Sequence, residues 1–142
     1  MIIQRINQST AEICYVNTYN STTTYLSTGY LVSFNVRNLA SANGIDIEQP
    51  TTSGAPALAG VVYGNGAGIT SNAYGLVQTY GFCNAYVSCS GGETAAPGQV
   101  MGAVTGQYYA SSNGTSNNLG PIIVMSQRVG LNALNPVFVR AL

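Results

Sequence analysis

The chain contains no histidine, no lysine and no tryptophan, and only 6% of its 142 residues are charged. Each gap removes chemistry. Without histidine, Ser-His-Asp and Cys-His nucleophile systems lack their base. Without lysine there is neither a Schiff base nor a phosphate-binding P-loop. The closely spaced cysteine pair of a zinc site is missing, and no imidazole can complete one. The only cations are Arg5, Arg37, Arg128 and Arg140, scattered along the chain. Neutralising nucleic-acid phosphates needs them clustered, so no nucleic-acid partner is expected. No apolar run approaches the ~20 residues of a membrane span. The longest, Pro121-Ile122-Ile123-Val124-Met125, is strand-sized. The opening MIIQRINQSTAE lacks the apolar run of a secretory signal. No membrane partner is expected, and assembly in a cytoplasm is.

The acids are Glu12, Asp46, Glu48 and Glu93. Asp46 and Glu48 alternate with Ile45 and Ile47, so on a strand they share one face. Such a pair can hold a hard cation, but the better expectation is an exposed polar face beside a turn. Nothing selects a Glu12–Glu93 or Asp46–Glu93 glycosidase pair. The expectation is therefore no catalytic residue, no cofactor, no metal and no enzyme. Three cysteines, an odd number, make no disulfide framework. Cys83 and Cys89 fall in one extended run, which sets their Cα atoms ~20 Å apart, too far for a bridge. All three read as small apolar residues in a reducing compartment. The triplets Asn7-Gln8-Ser9, Asn20-Ser21-Thr22 and Asn113-Gly114-Thr115 match the glycosylation pattern by chance in an Asn- and Ser-rich chain.

What the chain has is short strand signals between turn residues. Residues 11–19 are rich in β-formers. Tyr30, Val32, Phe34 and Val36 alternate with Ser33, Asn35 and Arg37, which predicts a half-buried strand. Asn43-Gly44 is a strong turn signal. Residues 57–64, two segments over 73–82 and 83–89, residues 100–110, Ile122–Val129 and 137–142 read as further strands. A short helix is allowed at 94–103 or 129–134. The segment 111–120 is the most polar and is expected to be a mobile loop. The fold class predicted is all-β: a single-domain sandwich or small barrel over 1–142, with residues 1–10 as an extended N-terminal arm.

Two features invite function. The loop Gly64-Asn65-Gly66-Ala67-Gly68 resembles a phosphate cradle. A dinucleotide fingerprint, however, needs its third glycine one position later, a following helix and an acid about 20 residues on. A β-rich stretch follows here, so a turn needing positive φ is the better reading. The other feature is ten tyrosines spread over most strands, with a net charge of zero. Tyrosine offers large contact area at low entropic cost, and a neutral surface favours association. A subunit living inside an assembly is expected. Tyr15 and the adjacent Tyr108 and Tyr109 are candidate interface residues. A strand at 108–109 would turn one tyrosine inward and one outward.

The successive blocks "VNTYNSTTTYLSTGYLVSF", "GIDIEQPTTSGAPALAGVVYG", "NAYGLVQTYGFCNAYV" and "PVFVRAL" resemble the capsid cement or decoration proteins of tailed bacteriophages, those of cyanophages especially. The likeness covers residues 14–89 and, more loosely, the C-terminus. It rests on Leu58-Ala59-Gly60-Val61-Val62 and on Tyr74-Gly75-Leu76-Val77-Gln78-Thr79-Tyr80-Gly81. Residues 90–135 depart from that pattern. The resemblance implies a structural role: binding the outside of the virion capsid and bridging neighbouring major capsid proteins. It implies a homotrimer, with a dimer as the alternative. Ile2 and Ile3, in the arm, would add to a capsid sheet edge. Arg5 and Arg140, near the two termini, would form rim ion pairs. The rival expectations are a carbohydrate-binding or adhesion module of a phage fibre, and a connector or tail subunit.

Overall fold

The computed structural model describes residues 12–35, 46–50, 58–64, 66–89, 94–104, 106–111, 122–126, 128–129 and 132–141. The fold is all-β. Eleven strands follow in order: β1 Cys14–Asn20, β2 Leu31–Phe34, β3 Asp46–Glu48, β4 Leu58–Tyr63, β5 Tyr74–Ser88, β6 Thr94–Ala95, β7 Val100–Ala103, β8 Ala110–Ser111, β9 Ile122–Val124, β10 Arg128–Val129 and β11 Ala133–Arg140. Among the described residues, neither window allowed for a helix shows one. Residues 94–103 carry β6 and β7, and β11 begins at Ala133. Each window falls where a strand partner is available, and its Gly, Pro and Asn residues favour extended or turn backbone.

Nine strands form one sheet in the order β1-β3-β2-β4-β5-β11-β9-β7-β8. Two further pairings, β1–β5 and β5–β8, close it into two five-strand circuits that share β5. Each of the nine strands therefore has at least two partners. This matters for a neutral, β-rich chain, because unpaired edges template aggregation. The small β6–β10 pair stands apart from this sheet.

Two apolar cores result. The smaller gathers Leu26, Val32, Ile47, Ala59, Val62, Ile69 and Val77. The larger takes Ala85, Val87, Met101, Ile122, Val124, Val137 and Val139, together with Leu31, Leu58 and Val61. Neighbouring residues of β2 and β4 thus enter different cores, and these two strands are the wall between them. That corrects the half-buried reading of 30–36. Leu31, Val32 and Ser33 are all buried, because both faces of β2 are covered. It also corrects the exposed-acid reading. Asp46 is 6% exposed and Ile47 0%, since β3 sits between β1 and β2.

β5 serves both cores, and it must change sides to do so. Val62 and its register partner Val77 lie in the smaller core, whereas Val61, opposite Gln78, faces the larger one. Beyond residue 80 the odd positions Ala85 and Val87 face the larger core. Side chains alternate strictly along a regular strand, so one residue must be inserted between. The insertion is a bulge: Cys14 is opposite Tyr80 and Tyr15 opposite Gln78, leaving Thr79 extra. The bulge is locked by polar groups. The Thr79 hydroxyl donates to the Cys14 carbonyl at 3.3 Å. The Gln78 carboxamide donates to the carbonyls of Tyr80 at 3.2 Å and Phe82 at 3.0 Å. Gly81 adopts φ +106°, and a Cβ there would stand 2.6 Å from the Glu12 carbonyl. Only glycine allows the lead-in to β1 to approach this closely.

β5 is one 15-residue strand where the sequence suggested two. The glycine loop joins β4 to β5, antiparallel neighbours, and Gly66 takes φ +85° as a turn requires. No helix follows it, so the phosphate-cradle geometry is absent. The Asn20-Ser21-Thr22 turn closes on Asn20, which is fully buried. Its Nδ2 donates to the carbonyls of Thr24, Ile69 and Thr70, and its Oδ1 accepts from the Thr22 amide and hydroxyl. A buried, bonded amide is no glycan acceptor. Ile2, Ile3, Arg5, Val36, Arg37, the Asn43-Gly44 turn, Glu93, 112–120 and the arm lie outside the described residues.

Two outcomes follow from the bulge. Gly81→Ala should lower unfolding free energy by ~2–3 kcal/mol, from strained backbone plus the clash. Gly98→Ala has similar φ (+84°) but open space at its Cβ, so it should cost only ~1 kcal/mol. Denaturant melts of both variants check the difference. Gln78→Met should cost ~1–2 kcal/mol, because it removes the side-chain bonds to the Tyr80 and Phe82 carbonyls.

Candidate interaction surface

Among the described residues no three His, Cys, Asp or Glu side chains gather to hold a metal. What the strands do bring together is aromatic surface. Because β5 switches sides, its two halves turn different chemistry outward.

On the β1–β5–β4 side, register places Tyr15, Asn17 and Tyr19 of β1 beside Gln78, Leu76 and Tyr74 of β5, with Tyr63 of β4 beside Leu76. Tyr74 is 55% exposed, Leu76 42%, Tyr63 41% and Tyr15 39%. Tyr15 and Tyr63 flank β5 on opposite edges, yet their ring centroids meet at 4.6 Å. Gln78, in register with Tyr15, lies on this face as well, yet it is only 2% exposed. The Tyr15 phenol is held above its ordinary pKa, first by desolvation and then by donating a hydrogen bond to Tyr63. Tyr19 and Tyr74 form a second tilted pair at 5.1 Å. The result is a tyrosine face: apolar rings with polar tips, and no charged side chain among these residues.

On the opposite side, β11 lays Phe138 beside Phe82 of β5 and Ile123 of β9, and Val100 of β7 continues the row. Phe138 meets Phe82 and Tyr80 edge-on, each at 5.0 Å. Arg140 lies exposed at the end of β11, in register with Tyr80.

A third cluster is internal bracing. Tyr30 stacks on Tyr108 at 4.5 Å and meets Tyr86 edge-on at 5.5 Å. The Tyr108 carbonyl accepts from the Leu31 amide at 3.0 Å. Tyr108 and Tyr109 are both half-buried in a bend before β8, not on a strand, so the in-and-out alternation expected there does not apply. The bend arises because β7 ends at Ala103 and the chain must reverse to pair β8 antiparallel to it. Tyr15 does lie on an exposed aromatic face, while Tyr108 is spent mainly on Tyr30. Sequence reasoning missed Tyr63, Tyr74, Phe82 and Phe138 as outward residues. Tyr63 had a signal, since it directly follows a run of five apolar or small residues.

No family model and no curated protein matches the chain. The functional argument therefore rests on the surface chemistry and on the sequence resemblance given above.

All three cysteines are free thiols. Cys83 packs against the larger core, and burial pushes its pKa from 9.0 up to about 12. The unfolded chain loses this proton first as pH rises, so the folded state holds more protons between pH 9 and 12. The contribution to stability is complete below pH 9 and is lost as pH rises toward 12. Cys83→Ala should flatten that alkaline fall relative to wild type, as read from denaturant midpoints across the range. In the folded protein Cys83 should react with thiol reagents much more slowly than in the unfolded chain.

Proposed function

We propose that this chain is a structural virion protein: a bacteriophage decoration subunit that seats on the outer capsid surface and bridges adjacent major capsid proteins. The observation that carries this reading is the tyrosine face of β1–β5–β4. Tyrosine tips tolerate water before assembly, and the rings exclude it afterwards. The paired sheet beneath holds the rings in place, so little order has to be gained on binding. A shell under internal pressure fails by separation of its subunits. An added protein resists this by burying surface on several neighbours at once. Standard contacts of ~1,600 Å², repeated around an oligomer, give strong attachment without chemistry. A homotrimer suits this role, with a dimer as the alternative. Ile2, Ile3 and Arg5 would extend the contact as an arm, while Arg140, at the end of β11 on the opposite face, would pair at the rim of a contact between copies.

Purified chain added to undecorated heads should bind at saturable copy number and raise the temperature at which they open. Tyr74→Ser with Leu76→Ser, both at exposed positions, should weaken binding ~10- to 100-fold while the chain melts as wild type. Binding to a glycan array with no affinity for heads would instead favour the adhesion module.

A further inference from the structure

We propose that the outer face of β5–β11–β9–β7 is a self-association surface, covered in solution by a second copy of this chain. Three observations carry it, and none depends on capsid binding.

The first is chemistry. The row Phe82, Phe138, Ile123 and Val100 crosses four strands in register. Leu134 on β11 and Met125 after β9 widen it. Phe82 is 50% exposed, Leu134 49%, and Val100 and Met125 each 43%. These six side chains carry no hydrogen-bonding group beyond a thioether. Isolated exposed apolar residues are ordinary, but a contiguous row on one sheet face marks an interaction site. Contacts of lasting oligomers are more apolar than those between partners that meet and part. The tyrosine face on the other side is of the second kind, and this one is of the first.

The second is charge. Copies of one chain bring the same charges to a shared contact, so a charge at its centre would face its like. Between the rows lie Asn84 and Pro136, exposed and uncharged. Arg140 sits only at the end of β11. The face is therefore electrostatically compatible with itself.

The third is size. At ~3.4 Å per residue the eight residues of β11 run ~27 Å and the second half of β5 nearly as far, while the three residues of β9 and four of β7 run only ~10–14 Å. With strands ~4.8 Å apart the face covers roughly 400 Å² in projection, the low end for a specific contact, which fits association at micromolar concentration. Strand addition is a poor alternative route, because each strand of the large sheet already has at least two partners.

Sedimentation equilibrium on the full chain tests the proposal. Wild type should associate at micromolar concentration. Phe82→Asp and Leu134→Asp, at exposed positions, should each weaken association ~100-fold or more with melting behaviour of a folded chain retained. Thr23→Asp, at an exposed turn, should leave it unchanged. Should either aspartate variant fail to fold, Val100→Cys with a short bifunctional thiol reagent replaces it, and copy-to-copy linkage through this residue is expected. A wild-type monomer at all concentrations, an oligomer indifferent to the folded aspartate variants, or no linkage through Val100→Cys would each overturn the proposal.

Discussion

The Thr79 hydroxyl meets the Cys14 carbonyl where β5 carries one residue more than the strand beside it. That single extra residue lets β5 line the smaller core with Val77 and the larger core with Ala85 and Val87. Without the shift, one half of β5 would aim its apolar side chains at solvent. Gln78 ties the bulge down by bonding the Tyr80 and Phe82 carbonyls on either side of Gly81, and Gly81 makes room for the chain leading into β1. Bulges usually cost ladder bonds; here the loss is offset by two cores joined on one strand.

The outward faces are a consequence of the same shift. A strand that changes its buried side also changes its exposed side. β5 therefore shows Tyr74 and Leu76 on one side of the molecule and Phe82 on the other. The flanking strands complete each patch in register, tyrosine-rich around the first half and Phe/Ile/Val-rich around the second. Under the function proposed above, a charge-poor chain with two such faces would join proteins to one another. The tyrosine face suits a partner met late, and the apolar face suits a copy met early. The decoration-protein reading draws on both, and it rests on surface chemistry and the sequence likeness described above.

The all-β class was legible because apolar residues recur at strand spacing between Gly, Asn and Pro turns. β4 was legible as a buried strand, since Leu58-Ala59-Gly60-Val61-Val62 contains no polar side chain. The side switch was not. Val77-Gln78-Thr79 reads as ordinary alternation, and nothing local shows that Gln78 is buried or that Thr79 is extra. β2 was misread for a related reason. Ser33 looks like a solvent-facing position, and only the packing of one circuit against the other covers it. Asp46 is buried because β3 is held between β1 and β2, strands distant from it in sequence. The tyrosines were recognised as contact residues in general. Sorting the exposed ones from Tyr30 and Tyr108 required knowing which strands are neighbours.

The account makes β5 the shared spine of one cooperative unit. Residue-resolved native-state hydrogen exchange along this strand tests that most directly. The amides of Val77 and Val87, on the two sides of the bulge, should exchange only through global unfolding, with the same opening free energy and the same denaturant dependence. Exchange of one half at a distinctly lower free energy, with the other still protected, would show two independently opening units and contradict the account.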